Sequence, residues 1–126
     1  MRHFFPFHLI LLGCVLSTAH GLPKVVVLGT GGTIQSKGDN RMVLHDYRAG
    51  RYDISELLTA LPEIDAIADV TATQYTNIGS PSMTAEIWTG LAKTINQMTA
   101  EDPDIAGFVI TLGTNTMEET AYFLHL

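Results

Sequence analysis

Residues 24–34, which read Lys-Val-Val-Val-Leu-Gly-Thr-Gly-Gly-Thr-Ile, decide the fold of this chain. The β-branched run in this segment predicts a strand buried on both faces, as in a parallel sheet. The glycines behind the run allow a tight turn and a close approach of the backbone to a ligand. Because open α/β sheets bind ligands at the carboxyl ends of their strands, we expect a binding site at this turn.

Further strands are predicted at residues 69–78 and 107–111, where apolar and β-branched residues recur. Residues 35–50 are polar, contain glycine and have no hydrophobic period, which predicts a mobile loop. Helical segments follow each strand. The order βαβαβα predicts an α/β fold: a partial doubly wound parallel sheet, Rossmann-like or flavodoxin-like, with right-handed crossovers.

Three helices are indicated by their caps and apolar stripes. Asp53 and Glu56 form a capping-box pattern, and Pro62 is expected to end that first helix. Thr84 is expected to cap a longer helix, and Met117 lies in the first turn of a third. The predicted buried stripes are Ile54, Leu57, Leu58 and Leu61 in the first helix, and Ile87, Trp88, Leu91, Ala92, Ile95 and Met98 in the second.

Residues 1–21 have the pattern of a secretory signal peptide, which makes a secreted or periplasmic protein the expectation. Arg2 supplies the positive end, an apolar run follows, and small residues precede Gly21. The run is too short to span a bilayer, so no membrane association is expected after cleavage. Residues 11–14, Leu-Leu-Gly-Cys, also resemble a lipoprotein cleavage box, which leaves lipidation as a minor alternative.

Composition narrows the classes of function. The 126 residues carry a formal net charge of −6 without a basic stripe, which argues against nucleic-acid binding. Cys14 is the single cysteine, and the five histidines are scattered, so neither a disulfide framework nor a zinc site is expected. We expect no metal and no cofactor. A nucleotide site is a weak alternative, because Ile34 stands where the dinucleotide fingerprint needs its third glycine.

Two threonines follow predicted strands, Thr33 after the first and Thr114 after the third. Hydroxyls presented at one sheet edge suggest nucleophilic chemistry on a small polar substrate. Backbone N–H groups of the glycines beside Thr33 could point inward and stabilise an oxyanion. Taken alone, both threonines fit the pattern of turn residues that bond their own backbone better than that of catalytic residues.

Several motifs occur in one order along the chain: Thr-Gly-Gly-Thr-Ile at residues 30–34, Tyr47, Asn-Ile-Gly-Ser at residues 77–80, and Gly-Phe-Val-Ile-Thr-Leu-Gly-Thr-Asn-Thr-Met-Glu-Glu-Thr-Ala at residues 107–121. Their sequence and spacing resemble the bacterial-type L-asparaginases, the asparaginase/glutaminase amidohydrolases. The resemblance runs from about Val25 to the last residue. It implies hydrolysis of L-asparagine to L-aspartate and ammonia through a threonine acyl-enzyme, with an amino-acid amide as the small-molecule partner.

The resemblance also implies roles for individual residues. Thr33 corresponds to the nucleophile and Tyr47 to the tyrosine of a loop that closes over the site. Thr114 corresponds to a second catalytic threonine, and Asn115 occupies the position of its acidic neighbour. The substrate-binding positions are Gly32, Ser80, Pro81 and Gly113, of which Ser80 matches a residue that holds the substrate α-carboxylate. Tyr47 could instead be a solvent-facing loop residue, and Ser80 an ordinary turn residue before proline.

This chain departs from the family pattern at four positions. Leu112 and Asn115 stand where the family has histidine and aspartate, Pro81 where many members have glutamine, and Gln35 where a small residue is preferred. Loss of the aspartate carboxylate removes a charged partner for the substrate ammonium. A hydrogen bond to a charged group contributes about 1.5–3 kcal/mol, so the loss predicts a roughly ten- to hundredfold lower rate.

Family members are two to three times as long as this chain, with a second domain and a catalytic lysine beyond the second signature. We therefore expect residues 22–126 to form a partial N-terminal domain, encoded by a fragment or truncated gene, which alone catalyses little or nothing. An alternative is a non-catalytic relic that retains at most amino-acid binding or subunit-interface contacts. A homotetramer is implied by the resemblance only.

Overall fold

The computed structural model describes residues 21–40, 42–43 and 45–126. The predicted signal peptide therefore lies outside the described residues apart from Gly21. These residues contain five strands: β1 Lys24–Gly31, β2 Lys37–Gly38, β3 Tyr47–Arg48, β4 Asp69–Ile78 and β5 Ile105–Thr111. The helices are α1 Ile54–Thr59, α2 Ala85–Glu101 and α3 Met117–His125. None of the helices in the described part of the chain has the length and apolar character needed to cross a membrane.

The main sheet contains three parallel strands in the order β4-β1-β5. Val26 of β1 pairs with Thr71 of β4 on one side and with Phe108 of β5 on the other. The prediction of a mixed α/β fold on a parallel sheet is confirmed. Because β1 is the central strand, its carboxyl end lies between the ends of both neighbours, and the turns that follow all three strands meet there.

Alternate residues of β1 face two different layers. Val26 and Leu28 pack with Leu91 of α2, and these three residues form the buried core on one face. Partly buried side chains complete this layer: Tyr75, Ile95, Met98, Ile105, Phe108, Ile110 and Leu124. On the other face, Val25 and Val27 line an apolar cavity beneath α1. Helices therefore lie on both faces of the sheet, as a doubly wound arrangement requires.

The predicted helix caps are present. The Asp53 carboxylate accepts a hydrogen bond from the Ser55 amide (2.9 Å), and Glu56 accepts one from the Asp53 amide (3.0 Å). The Ser55 hydroxyl and amide together lower the pKa of Asp53. Thr84 caps α2 by accepting from the Ile87 amide (3.4 Å). These bonds satisfy N–H groups that the first turn of a helix leaves without partners.

The first helix is shorter than expected. Its last residue is Thr59, and Leu61, predicted to be buried on the same stripe, is 53 % exposed. The reason is local: Pro62 opens a 3-10 turn, Pro62–Ala66, and the chain leaves the helical path before it. A second difference concerns residues 35–50, which contain the antiparallel pair β2–β3 where the sequence indicated a loop without regular structure.

Trp88 belongs to the packing between α2 and α3. Its ring stacks on Phe123 with centroids 5.9 Å apart, and its Nε1 donates to the Thr120 hydroxyl at 2.8 Å. Thr120 is buried, so this bond pairs a polar group that would otherwise be costly inside the fold. The interpretation of Trp88 as a packing residue agrees with these contacts.

Candidate functional site

The turn after β1 is built from two glycines and one buried glutamine. Gly31 and Gly32 have φ angles of 97° and 79°, in the region that side chains with a Cβ rarely adopt. The 3-10 turn Thr33–Gln35 follows directly. The Gln35 amide donates to Gly32 O at 3.3 Å and the Ser36 amide to Thr33 O at 3.0 Å, so Thr33 lies inside a tightly bonded turn.

The turn after β5 touches the turn after β1 through backbone atoms. A Cβ added to Gly32 would lie 2.5 Å from the Gly113 nitrogen and 2.7 Å from the Gly113 Cα. Both glycines are buried. Such spacing is possible only because neither residue has a side chain at the contact. The two predicted substrate-binding glycines are therefore adjacent in space, although 81 positions separate them in the sequence.

Ser80 joins the turn after β4 to the same cluster. Its hydroxyl donates to Asn115 Oδ1 (3.1 Å) and accepts from the Asn115 amide (3.3 Å). The Thr116 hydroxyl donates to Ser80 O at 3.0 Å. Ser80 is 3 % exposed and fits against Gly113, where an added Cβ would lie 2.6 Å from its Oγ. All these bonds link neutral groups, so the three turns are joined without an ion pair.

Thr33 and Thr114 each follow a glycine of the close contact, and both residues are exposed. Thr114 opens the 3-10 turn Thr114–Thr116. Their turns are thus held side by side at the carboxyl edge of the sheet, with the threonines facing the outside of the fold. This arrangement leaves both residues accessible to a ligand, as nucleophilic chemistry would require.

Two predicted site residues stand apart from this cluster. Tyr47 lies on β3, is 50 % exposed, and borders a cavity of about 350 Å³ with Ser36, Lys37 and Tyr52. Pro81 occupies the 3-10 turn Ser80–Ser82 and is exposed. Neither residue shares in the bonds that join the three turns. The structure therefore places six of the eight predicted positions in or directly beside the joined turns, and Tyr47 lies apart from them on the β2–β3 hairpin.

The glycine amides are used differently from the expectation that they face a ligand. The Gly31 amide donates to Gln35 Oε1 at 2.7 Å, and the Gly32 amide donates to Ile78 O at 2.9 Å. Both donors are engaged inside the protein, so the prediction that they form an oxyanion site is wrong for these two groups. The cause is the buried Gln35 side chain and the parallel pairing of the β1 end with the end of β4.

Gln35 is the structural residue that sequence reasoning missed. It is fully buried, whereas a glutamine in a polar, glycine-containing segment predicts an exposed side chain. The one signal in the sequence was its position directly after the first signature, where a small residue is usual. Its carboxamide atoms form hydrogen bonds with Gly31, Tyr52, Gln74 and Thr111, which explains how it is accommodated.

The apolar cavity beneath α1, about 550 Å³, is a different feature. It is lined by aliphatic side chains of β1, β5, α1 and the Pro62–Ala66 turn, with Thr111 the polar exception. A polar amide would lose its water there without gaining hydrogen bonds, so we do not place the reaction in it. Within the described ranges, no three His, Cys, Asp or Glu side chains are grouped as metal ligands.

The family description for the N-terminal domain of asparaginase matches residues 24–126. A probable periplasmic L-asparaginase of Haemophilus influenzae is 46 % identical over 115 residues, covering 91 % of this chain and 32 % of that protein. L-asparaginase 2 of Escherichia coli is 44 % identical over 108 residues, covering 86 % and 30 % respectively.

A crystal structure of a probable cytoplasmic L-asparaginase from Campylobacter jejuni superposes with a TM-score of 0.76 and 48 % identity. The match covers 81 % of this chain and 31 % of that one. This chain therefore spans about a third of the length of the relatives it matches. One relative is named periplasmic and the solved structure cytoplasmic, so the two names do not agree on a compartment.

Proposed function

The chain belongs to the asparaginase family, whose N-terminal domain it matches, and on that premise we propose that the whole protein hydrolyses the side-chain amide of L-asparagine. The products are L-aspartate and ammonia. The observation that carries this proposal is the contact between Gly32 and Gly113, which sets the turns of Thr33 and Thr114 side by side at the sheet edge. Two hydroxyls at one edge are what acyl transfer from an amide would use.

In the proposed reaction, Thr33 Oγ attacks the amide carbon, and its proton passes to a neighbouring base. The C–N bond then breaks, ammonia leaves with the added proton, and an ester to Thr33 remains. Water attacks that ester, releases aspartate and restores the hydroxyl. Splitting one difficult step into two in this way is the advantage of covalent catalysis.

The other site residues would orient the substrate and move its proton. Thr114 lies on the facing turn, and Asn115 holds Ser80 in place through two hydrogen bonds to the Ser80 hydroxyl. Tyr47 would reach Thr33 as the hairpin β2–β3 closes over the bound amino acid. Gly32 and Gly113 would contribute backbone atoms, while Pro81 would border the substrate without a polar group of its own.

The decisive experiment replaces Thr33 in the full-length protein. Thr33→Ala should abolish ammonia release, because the removed hydroxyl forms the covalent intermediate and binding contacts cannot replace it. Thr33→Ser is the matched control, since it keeps a hydroxyl and should retain measurable turnover. Asparagine turnover in Thr33→Ala at the parent rate would remove Thr33 from the mechanism and overturn the proposal.

A second candidate is a non-catalytic protein that only binds an amino acid. Asn115 favours it, because an amide stands where the family has a carboxylate. Calorimetry with L-aspartate, alongside an ammonia assay on the same protein, separates the two. Heat of binding without ammonia release would favour the binding protein, whereas release that depends on Thr33 favours the hydrolase.

Localisation and assembly are proposals of the same kind. We propose export, with cleavage near Gly21, and a homo-oligomer as the working assembly. Intact-mass analysis of the protein from its own host tests the first, since a retained residue 1 would contradict it. Sedimentation equilibrium tests the second, and a monomer at working concentration would contradict it.

A further inference from the structure

We infer that Gln35 is a positioning residue, which holds the turn of Thr33 and the base of the β2–β3 hairpin in one arrangement. The inference rests on the proposed function, because it concerns how the proposed nucleophile is presented. It starts from the carboxamide of a fully buried glutamine that the sequence did not mark as functional.

The oxygen of that carboxamide fixes the turn. Gln35 Oε1 accepts the Gly31 amide at 2.7 Å, a bond buried from solvent that closes the chain over four residues. Thr33 is at the centre of the closed segment. The Thr111 hydroxyl also approaches Oε1, at 3.5 Å, from the end of β5. A rotation of the Gln35 side chain would therefore remove the bond to the Gly31 amide and leave the turn of Thr33 held by its local bonds within residues 32–36.

The nitrogen and the backbone oxygen of Gln35 fix the hairpin. Nε2 donates to Tyr52 O at 2.8 Å, and Gln35 O accepts the amides of Arg51 (2.7 Å) and Tyr52 (3.0 Å). Residues 35 and 52 are the two ends of the segment that contains Tyr47. One side chain thus sets the turn of Thr33 and the point from which the Tyr47 hairpin extends.

Gln74 completes the network and supplies a matched control. Gln35 Nε2 donates to Gln74 Oε1 at 2.8 Å, and the same oxygen accepts the Ile54 amide at 2.8 Å. Gln74 Nε2 donates to Thr76 O at 2.6 Å. Gln74 therefore holds the start of α1 and the strand β4. Among the described residues its hydrogen bonds to the Thr33 turn all go to Gln35, including one from Gln74 Nε2 to Gln35 Oε1 at 3.5 Å.

The test compares Gln35→Met with Gln74→Met in the full-length protein. Each change removes one carboxamide from the same network and keeps a similar volume. Both should lower Tm. Gln35→Met should also lower kcat about 10- to 100-fold with KM within about threefold, because a displacement near 1 Å costs on that order. Gln74→Met should keep kcat within about threefold. Equal kcat in the two folded variants would overturn the inference.

A second variant tests the inference in case Gln35→Met does not fold. Gln35→Glu keeps the acceptor for the Gly31 amide but loses both N–H donors, and burial raises the pKa of the new carboxyl. A protonated carboxyl can donate again, so kcat relative to the wild type should rise as the pH falls from about 8 to about 5. A flat ratio would count against positioning by Gln35.

Amide hydrogen exchange separates this inference from the proposed function. The Gly31 amide should lose protection in Gln35→Met and keep it in Gln74→Met, whether or not the protein releases ammonia. Ammonia release by the wild type with unchanged Gly31 protection in Gln35→Met overturns the role of Gln35 alone. A wild type that hydrolyses no amide overturns the proposed function, while lost protection of the Gly31 amide in Gln35→Met would still support the role of Gln35 in holding the turn of Thr33.

Discussion

The two ends of β1 are held by different kinds of interaction. At the amino end, Lys24 forms an ion pair and hydrogen bond with Asp102, and both side chains are about a third exposed. At the carboxyl end, glycine backbones touch and neutral side chains such as Gln35 and Ser80 are buried among hydrogen bonds. Exposed ion pairs contribute little and depend on salt, whereas buried neutral networks fix geometry. The interactions that fix geometry are thus concentrated at the end where the candidate site lies.

Gly32→Ala, at the carboxyl end of β1, should have the largest effect on stability and activity. The new Cβ would meet Gly113, and φ at this residue is 79°. Overpacking costs about 1–3 kcal/mol, and a side chain in this backbone conformation, which is essentially restricted to glycine, adds about 1–3 kcal/mol. Denaturant unfolding should show a free energy of unfolding lowered by that amount, and activity should be lost as well.

Gly107→Ala is the control for this change, because a Cβ at Gly107 in β5 meets no atom within 4 Å. It should leave activity intact. If Gly32→Ala were no more damaging than Gly107→Ala, the backbone contact would not be what holds the two turns together.

Asn115→Asp would introduce a charge at the carboxyl end of β1, where the hydrogen-bonded side chains are neutral. Asp keeps an oxygen for the Ser80 hydroxyl, so the fold should be unchanged, and the carboxylate could pair with a substrate ammonium. At about 1.5 kcal/mol for such a bond, kcat/KM on L-asparagine should rise roughly tenfold. Steady-state ammonia release measures it. Equal rates for parent and variant would show that asparagine is a working substitute at this position.

Ser80→Ala removes the two side-chain hydrogen bonds between the turns after β4 and β5 and leaves the bond from the Thr116 hydroxyl to Ser80 O. The loss of a neutral hydrogen bond lowers the free energy of unfolding by about 0.5–1.5 kcal/mol, and we expect KM to rise as the turn of Asn115 loosens. Ser82→Ala, in the same turn but exposed, should change neither quantity. Urea unfolding and steady-state kinetics on both variants check this, and matching values would remove Ser80 from the site.

Asp102→Asn should have the smallest effect, at the amino end. Lys24 lowers the pKa of Asp102, and Asp102 raises that of Lys24, in each case mainly through their shared hydrogen bond. A carboxyl whose pKa is lowered by folding stabilises the fold at pH values above its pKa in the unfolded chain. This contribution is lost as the pH falls through the folded-state pKa. A lysine whose pKa is raised by folding stabilises the fold at pH values below its pKa in the unfolded chain. This contribution is lost as the pH rises through the folded-state pKa.

The Tm difference between wild type and Asp102→Asn should therefore be greatest between about pH 4 and about pH 10, and should shrink with salt. Asp104→Asn is the nearby control. Activity should be unchanged in both. A change in kcat for Asp102→Asn would mean that the two ends of the strand are not independent.

The sequence predicted those parts of the fold whose cause is local. The caps at Asp53 and Thr84 depend on residues two or three positions away, and the β1 strand depends on its own β-branched run. Contacts made across the chain were not predictable from one sequence. The burial of Gln35 depends on Tyr52, Gln74 and Thr111, and the two-residue strands β2 and β3 are too short to have a period. At the candidate site, the motifs indicated which residues belong together, but not that the glycine amides are already bonded.

The contact between Gly32 and Gly113 has a consequence for engineering this domain. An inserted residue in either turn would push the two backbones apart, and no side chain there can shrink to absorb it. The β2–β3 hairpin differs, because the two ends of its segment are joined by hydrogen bonds from the Arg51 and Tyr52 amides to Gln35 O. These bonds do not depend on the number of residues between the two ends. We therefore expect libraries that vary loop length to yield folded proteins when the changes fall in residues 39–46, and mostly insoluble ones when they fall at residues 31–33 or 112–114.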